Sequence, residues 1–264
     1  MQILLTNDDG IRSPGLWAAA EALSALGWVT VVAPREQSSG AGRSLPSTSD
    51  GIITEETITV HGKPWKVYAV GGTPAQAVQH GVLEIMPQRP DLVVSGINYG
   101  ENLATGVTIS GTVGAALEGA ALGIPAMAIS LETPKDYHFS YSTDVDFSTA
   151  AYFTRYFAER MLSVPLPDDV YVLKVDVPWR ASKDTPWRVT RLSRKRYYRP
   201  VPPERKDWSQ PGLVGYEPGD PPETFDPESD VYAVRVDKVV SVTPLSLDLT
   251  SRVDLKALER LLKG

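Results

Sequence analysis

Short apolar runs alternate along the chain with longer stretches in which apolar residues recur at helical spacing. Runs of the first kind predict buried strands at residues 2–6, 28–33, 91–95, 125–130 and 170–176. Stretches of the second kind predict helices at residues 15–26, from Pro74 to about Met86, at 112–122 and at 146–162. Strands that alternate with helices in this way are typical of a mostly parallel sheet.

Three further segments depart from this alternation. Residues 52–60 and 65–70 have the pattern of a hairpin that turns near His61-Gly62. Residues 178–229 are rich in Pro, Trp, Tyr and Arg, which indicates an extended arm without a core of its own. Apolar and polar residues alternate at residues 230–242. Residues 253–263 predict a terminal helix. We therefore expect one α/β domain over residues 1–264, with a Rossmann-like sheet, helices on both faces and a protruding arm at 178–229.

Composition narrows the classes of function. The 264 residues carry a formal net charge of −6, which argues against a nucleic-acid-binding surface. The chain has no cysteine, so disulfides, thiolate metal sites and cysteine catalysis are excluded. No apolar stretch approaches the roughly 20 residues of a membrane helix, and the N-terminus shows no targeting signal. We expect a cytoplasmic protein without a membrane partner.

The loop after the first predicted strand carries Asn7-Asp8-Asp9-Gly10. Ligands of open α/β sheets bind beyond the carboxyl ends of the strands, where this loop is expected to lie. Two adjacent carboxylates repel each other there, and a hard cation such as Mg²⁺ or Mn²⁺ would compensate them. Taken alone, the pair is better explained as an Asx turn that serves the N-terminus of the next helix.

Two more strand-end loops are rich in glycine and hydroxyl groups. The first, residues 38–42, contains Ser39 and is a weak signal by itself. The second begins at Ser95, contains Asn98 and reaches Ser110-Gly111-Thr112 at a helix start. Free N–H groups at such a start favour an anion, although helix capping explains them equally. No Gly-Lys-Ser/Thr and no Gly-x-Gly-x-x-Gly after the first strand is present, which argues against a nucleoside triphosphatase or a dehydrogenase.

The remaining candidates carry less chemistry. The three histidines, His61, His80 and His138, lack metal-ligand spacing and are better explained as turn or helix-surface residues. The basic residues between Arg191 and Arg199 could bind nucleic acid, but the net charge favours an exposed arm that meets a partner subunit. A receiver-like phosphoacceptor would also place paired acids after a first strand, but it would be about half this length and would need further Asp and Lys strand ends, which are not evident.

Taken together, the motifs resemble those of the survival-protein-E (SurE) family. The matching segments occur in family order: ILLTNDDGI at 3–11, APREQSSGA at 33–41, GGTPA at 71–75, VSGINYGEN at 94–102, SGTVGAALEG at 110–119 and GIPAMAIS at 123–130. The DDG element and the paired SGIN and SGTVGAA elements are highly specific. The C-terminal half is similar in layout more than in motif.

The resemblance implies a metal-dependent phosphatase that acts on nucleoside 5′- and 3′-monophosphates, in some members also on short polyphosphate. It implies one divalent cation per subunit, Mg²⁺ or Mn²⁺, held by Asp8, Asp9, Ser39 and Asn98. Asp8 and Asn98 would be catalytic. Phosphate would be bound by Asn98 with Ser110, Gly111 and Thr112. A homodimer or homotetramer would form through the C-terminal arm.

The chain also departs from the family pattern. Lys174-Val175-Asp176-Val177-Pro178 stands where Asn-Val-Asn-Val-Pro is usual, and Gln76-Ala77 stands where Asp-Cys is common. Neither change touches the expected metal ligands. The sequence leaves open whether Asp8 acts as a base or as a nucleophile. It also leaves open the preferred nucleotide and a non-catalytic, metal-dependent nucleotide sensor as an alternative function.

Overall fold

A computed structural model describes residues 1–60, 62–138 and 142–264. Eleven strands are found in these residues: β1 (Gln2–Thr6), β2 (Trp28–Pro34), β3 (Ile53–Val60), β4 (Lys63–Val70), β5 (Leu92–Tyr99), β6 (Ala126–Leu131), β7 (Val172–Val177), β8 (Trp187–Val189), β9 (Tyr198–Val201), β10 (Gly215–Pro218) and β11 (Val240–Leu245). The α-helices are α1 (Pro14–Leu23), α2 (Pro74–His80), α3 (Gly111–Ala121), α4 (Ser148–Ser163), α5 (Asp230–Arg235) and α6 (Leu255–Lys263).

The central sheet has nine strands in the order β3-β4-β2-β1-β5-β6-β7-β11-β8. Pairing is parallel from β4 through β2, β1, β5 and β6 to β7, and antiparallel between β3 and β4 and between β7 and β11. The expectation of a mostly parallel α/β sheet is therefore confirmed. Because parallel strands point the same way, the ends of β1, β2 and β5 lie together at one edge.

Helices cover both faces of the sheet. Leu16 of α1 and Phe153 of α4 belong to the larger apolar core with the side chains of Ile3 and Leu5. Val78 of α2 belongs to a second apolar core, which also contains Leu4 and residues of α3. Adjacent residues of β1 thus point into opposite cores, as the strand period of two requires.

Local chemistry sets where the helices begin. Thr73 caps α2 by accepting from the Gln76 backbone N–H at 3.2 Å, while the Gln76 side chain accepts from the Thr73 N–H at 3.0 Å. Pro74 fills the first helical position, where no backbone donor is needed. Ser110 caps α3 by accepting from the Val113 N–H at 3.1 Å. Such caps satisfy N–H groups that have no partner within the helix.

A bulge interrupts β5 just before the functional loop. The β5–β6 register shifts between Ser95 and Asn98. Gly96 lies there with φ +129°, and a Cβ on it would come within 2.2 Å of the Ile129 carbonyl oxygen. Only glycine fits this position, and the bulge re-aims the residues that follow it.

The C-terminal half differs from the predicted pattern in one respect. The sequence alternates over residues 230–242, a pattern typical of a strand, but residues 230–235 form helix α5, and the strand β11 begins only at Val240. Ser229 decides this, because its hydroxyl accepts from the Tyr232 N–H at 3.2 Å and caps the helix. The hairpin turn near Gly62 is present between β3 and β4, while His61 lies outside the described residues.

The expected arm segment, residues 178–229, contributes to two sheets. Its strand β8 pairs with β11 at the edge of the central sheet. Strands β9 and β10 pair with each other in a separate two-stranded sheet. Tyr197 and Phe225 from this segment pack on Leu103 and Val231 of the body in a third apolar cluster. The base of the arm is thus fixed to the loop after β5.

None of the helices in the described part of the chain is long and apolar enough to cross a membrane.

Candidate active site

The turn after β1 places two carboxylates at the edge of the sheet. The Asn7 side chain closes this turn, since it donates to the Gly10 carbonyl oxygen at 3.1 Å and accepts from the Gly10 N–H at 3.2 Å. Asp8 and Asp9 project from it and are only 5% and 2% exposed. The turn is the Asx turn that the sequence favoured, but its two acids are buried, which solvated turn residues are not.

Asp8 faces the N-terminus of α3. The Thr112 hydroxyl donates to Asp8 Oδ1 at 2.6 Å, and the N–H groups of Gly111 and Thr112 also donate to this carboxylate. Burial raises the pKa of Asp8, and these donors offset part of the rise. A Cβ on Gly111 would lie 2.7 Å from Asp8 Cβ, so only glycine allows the carboxylate to come this close to the helix.

Asp9 is held by two other segments. Gln37 Nε2 donates to Asp9 Oδ1 at 3.2 Å, and the Tyr99 N–H donates to Asp9 Oδ2 at 3.2 Å. Burial raises the pKa of Asp9 well above its usual range, and the negative charge of Asp8 raises it further. The loops after β1, β2 and β5 therefore converge on this side chain, as the parallel sheet predicts.

The chemistry of this donor set fits a hard divalent cation. Two buried, adjacent carboxylates are costly as a pair of anions, and a cation between them would stabilise both. Within the described residues, no group of three or more His, Cys, Asp or Glu side chains could hold a metal ion. Further ligands would have to be hydroxyl, amide or backbone oxygens, which Mg²⁺ and Mn²⁺ accept.

The two other expected metal ligands lie on the adjoining segments. Ser39 is exposed in the loop after β2, and its neighbour Ser38 donates its N–H to the Asp8 carbonyl oxygen at 2.7 Å. Asn98 lies near the end of β5, and its Nδ2 donates to the Gly100 carbonyl oxygen at 2.7 Å. Their chain neighbours contact the aspartate pair, Ser38 at the Asp8 backbone and Tyr99 at the Asp9 carboxylate.

The expected phosphate-binding residues begin α3. The Ser110 hydroxyl caps the helix as an acceptor, which leaves its own proton available for donation. Gly111 and Thr112 present first-turn N–H groups, whose partner in this structure is the Asp8 carboxylate. An anion at this helix start would meet the positive end of the helix dipole beside two acidic side chains.

A pocket of about 520 Å³ adjoins the site. It is lined by the loop after β2, including Ser39, by Ser49 and Asp50, and by residues 70–73. Asp8 and Asp9 are not among its lining residues. The two carboxylates are therefore buried behind the wall of the pocket. Ser39 is part of that wall.

Several residues that the sequence did not single out surround the pair. Gln37 contacts Asp9 and also donates to the His138 carbonyl oxygen at 3.0 Å. His138 is not a free surface residue, since its ring contacts the Tyr216 hydroxyl at 2.8 Å. Glu101 accepts from the Tyr198 hydroxyl at 2.6 Å, and burial raises the pKa of Glu101 to about 7. Gln37 and Glu101 had a sequence signal, because each lies within a segment that matches the family, whereas His138, Tyr198 and Tyr216 had none.

The unusual residues of β7 form a buried charge network. Lys174 contacts the carboxylates of Asp176 and Asp230, and none of these side chains is exposed. Asp176 Oδ1 also accepts from the Asn102 N–H at 2.8 Å, and Asp230 Oδ2 accepts from the Ala104 N–H at 2.9 Å. The network thus supports the segment that connects Asn98 to the start of α3.

Several basic residues of the arm segment form ion pairs within the chain. Arg191 contacts Glu228 at 3.2 Å, Lys195 contacts Asp220 at 2.7 Å, and Arg199 contacts Glu217 at 2.6 Å. These acids therefore compensate part of the charge of the basic run.

Comparison with known proteins adds independent information on the whole chain. The family model described as survival protein SurE matches residues 3–199. A 5′-nucleotidase SurE of Thermococcus gammatolerans is 43% identical over 271 residues, covering 100% of this chain and 97% of the relative. Another, from Archaeoglobus fulgidus, is 44% identical and covers 98% of this chain and 96% of the relative. The crystal structure of SurE protein from Aquifex aeolicus matches with a TM-score of 0.77 and 33% identity, covering 99% of this chain and 100% of that one.

Proposed function

Because the chain belongs to the survival protein SurE family, we propose that it is a metal-dependent 5′-nucleotidase that hydrolyses nucleoside monophosphates to nucleoside and phosphate. The structural observation that carries this proposal is the pair of buried carboxylates, Asp8 and Asp9, beside the N-terminus of α3. Relatives of the same full length bear the name of an enzyme. A non-catalytic nucleotide sensor is therefore not favoured.

In this proposal the cation is held by Asp8, Asp9, Ser39 and Asn98, one ion per chain. Either Mg²⁺ or Mn²⁺ suits these oxygen ligands. When bound, the ion supplies Lewis-acid stabilisation of the negative charge on the phosphate. The burial of Asp8 and Asp9 supports their assignment, because it explains why both need a compensating charge.

The phosphate is bound by Ser110, Gly111 and Thr112, with the Asn98 amide as a further donor. The Ser110 hydroxyl and the first-turn N–H groups bind the phosphate oxygens and orient the ester for in-line attack. These donors are neutral, so the helix start supplies the favourable potential without a lysine or arginine. The contact between Asp8 and this helix supports a role of this acid beside the ester in the proposal.

Asp8 accepts the proton of the attacking water. The water oxygen forms a bond to phosphorus while the bond to the nucleoside oxygen breaks; the leaving oxygen takes up a proton from solvent, and Asp8 then releases its proton to solvent. In the alternative, Asp8 itself attacks phosphorus and expels the nucleoside oxygen, which takes up a proton from solvent, and water then hydrolyses the aspartyl-phosphate. A substrate with a chiral phosphorus distinguishes the two, because one direct displacement inverts its configuration and two displacements retain it.

Phosphate release from a panel of substrates tests the function. The panel contains nucleoside 5′- and 3′-monophosphates and short polyphosphate, each with Mg²⁺, Mn²⁺ or EDTA. We expect turnover of nucleoside monophosphates with at least one cation and none with EDTA. Absence of release from every nucleotide with either cation would overturn the proposal.

Variants of Asp8 test the site. Asp8→Asn keeps an oxygen ligand but removes the basic carboxylate, so phosphate release should fall by at least about 100-fold. Asp168→Asn, in an exposed turn before β7, is the matched control and should retain activity. Full activity of Asp8→Asn would refute the assignment of the site.

We also propose that the chain forms a homodimer or homotetramer through its C-terminal arm at residues 178–229. Trp208 and Leu213, between β9 and β10, are 92% and 93% exposed, and Leu261 of α6 is 77% exposed. Large apolar side chains at such exposure favour burial against another chain. Light scattering after size exclusion tests this, and W208S/L213S should shift the wild-type species towards a monomer. A monomeric wild type would refute it.

A further inference from the structure

Two tyrosines of the arm segment contact residues that surround the proposed metal site, Tyr198 contacting Glu101 and Tyr216 contacting His138. Tyr198 begins β9 and Tyr216 lies in β10, and their rings meet edge to face with centroids 5.4 Å apart. We propose that Tyr198 and Tyr216 are positioning residues that hold the metal ligands in place, Tyr198 through Glu101 and Tyr216 through His138 and Gln37. This inference rests on the proposed function.

The Tyr198 side reaches the loop that carries Asn98. The Tyr198 hydroxyl donates to Glu101 Oε1 at 2.6 Å, and the Glu101 side chain has no solvent exposure. Arg235 donates to the same oxygen at 3.2 Å, while Glu101 Oε2 has no hydrogen-bond partner among the described residues. Tyr198 is thus one of two side-chain donors to this carboxylate, and its loss would release one restraint on the segment.

That segment sets the orientation of Asn98. Asn98 Nδ2 donates to the Gly100 carbonyl oxygen at 2.7 Å, so the amide is tied to the backbone just before Glu101. Between them, the Tyr99 N–H donates to Asp9 Oδ2 at 3.2 Å. A shift of Glu101 would therefore move the contacts of Asn98 and Asp9 together.

The Tyr216 side reaches Asp9 by another route. His138 Nε2 lies 3.2 Å from the Thr133 carbonyl oxygen, which only accepts, so Nε2 carries a proton. In the neutral ring Nδ1 then accepts from the Tyr216 hydroxyl at 2.8 Å. Burial lowers the pKa of His138, which agrees with the neutral form.

Gln37 completes this route. Its Nε2 donates both to the His138 carbonyl oxygen at 3.0 Å and to Asp9 Oδ1 at 3.2 Å. The two oxygens of Asp9 are thus restrained by Tyr99 and Gln37, and each of these leads to one tyrosine, Tyr99 through the neighbouring Glu101 and Gln37 through His138. Outer groups that orient metal ligands in this way commonly change metal affinity by about 10- to 100-fold when they are lost.

The simpler explanation is that the tyrosines only attach the arm to the body. The two explanations differ in what they predict for the metal-free protein. Loss of a purely structural contact would lower thermal stability or loosen the arm without changing affinity for a cation. Loss of a positioning contact lowers affinity for the cation while the fold remains intact.

Calorimetric titration of the metal-free full chain with Mn²⁺ measures this. Tyr198→Phe and Tyr216→Phe remove only the hydroxyl groups, and each should raise the Kd for Mn²⁺ about tenfold. At saturating Mn²⁺, kcat on a nucleoside monophosphate should return to within about twofold of the wild-type value. Tyr171→Phe, which alters an exposed tyrosine beside β7, is the matched control and should leave both quantities unchanged.

Unchanged Kd values in both folded phenylalanine variants would overturn the inference. If Tyr216→Phe does not fold, Gln37→Leu breaks the same route nearer to Asp9 and should also raise the Kd. A wild-type chain that binds neither Mn²⁺ nor Mg²⁺ would overturn it as well. A chain that binds Mn²⁺ but releases no phosphate would refute the proposed function, while the shift in Kd would still support the positioning role.

Discussion

Replacing Lys174 alone by methionine should destabilise the protein strongly. Lys174 Nζ donates to the carboxylate of Asp176, to Asp230 Oδ2 at 3.2 Å and to the Asn102 carbonyl oxygen at 2.9 Å. All three charged side chains are fully buried. Methionine preserves most of the volume but leaves two buried carboxylates without their cation.

Removing one partner of a buried ion pair costs about 3–5 kcal/mol, far more than loss of a surface pair. Burial raises the pKa of Asp176, and the positive charge of Lys174 is the main influence that lowers it. Without Lys174 that pKa rises further, so Asp176 can take up a proton at low pH. The loss of stability should therefore be largest near pH 8 and smaller near pH 5.

The matched control removes both charges together. K174N/D176N introduces the asparagines that are usual at these positions in the SurE family. Asp230 still accepts from the backbone N–H groups of Ala104 at 2.9 Å and Ser193 at 3.0 Å. We expect this double variant to lose less than half of the free energy lost by Lys174→Met. Urea unfolding at one protein concentration, followed by circular dichroism at both pH values, gives the free energies.

Two results would refute this reasoning. One is a loss below about 1 kcal/mol for Lys174→Met at pH 8, since that would mean water or another group already compensates the acids. The other is a double variant as unstable as the single one, which would mean that packing and not charge determines the effect.

Three further outcomes follow from the site and its surroundings. Gly111→Ala would place a Cβ 2.7 Å from Asp8 Cβ and displace that carboxylate. The kcat for phosphate release should therefore fall at least about tenfold, and the protein should lose about 1–3 kcal/mol of stability. An unchanged kcat would contradict the placement of Asp8 in the active site. Burial raises the pKa of Glu101 from its ordinary value of 4.5 to about 7, so the contribution of Glu101 to stability is present below pH 4.5 and is lost as the pH rises through 7. Between pH 4.5 and pH 8, the free energy of unfolding of Glu101→Gln should therefore rise by up to about 3 kcal/mol relative to that of the wild type, as measured by chemical unfolding. If the difference between the two proteins does not change with pH, the raised pKa of Glu101 is disproved. Removing divalent cations with EDTA should abolish phosphate release and lower the unfolding temperature, and added Mn²⁺ should restore both; an unaltered unfolding temperature would argue against a cation between the buried acids.

The central sheet and the convergence of its loops could be predicted from the sequence, because both follow from local patterns. Apolar strands that alternate with helices require parallel pairing, and parallel pairing brings the loops containing Asp8, Ser39 and Asn98 to one edge. Helix α5 could not be predicted in this way. Its residues from Asp230 onward alternate like a strand, and the deciding cap from Ser229 is a single hydrogen bond.

The surroundings of the site were harder to predict for another reason. The contacts of Glu101 with Tyr198 and of His138 with Tyr216 join residues 97 and 78 positions apart. No periodicity or short motif encodes such pairs, because they depend on where the arm packs. Tyrosine and histidine in a segment without regular structure give no indication of their partners.

The paired charges of the arm also bear on how two chains would meet. Arg199 faces Glu217 across β9 and β10, Lys195 faces Asp220, and the whole segment 178–229 carries ten basic and eight acidic side chains, so its charges nearly balance. Such an arm projects little long-range potential, and encounters between arms would be driven by diffusion alone. Association would then proceed at the unsteered rate of about 10⁵–10⁶ M⁻¹s⁻¹ and would depend little on ionic strength.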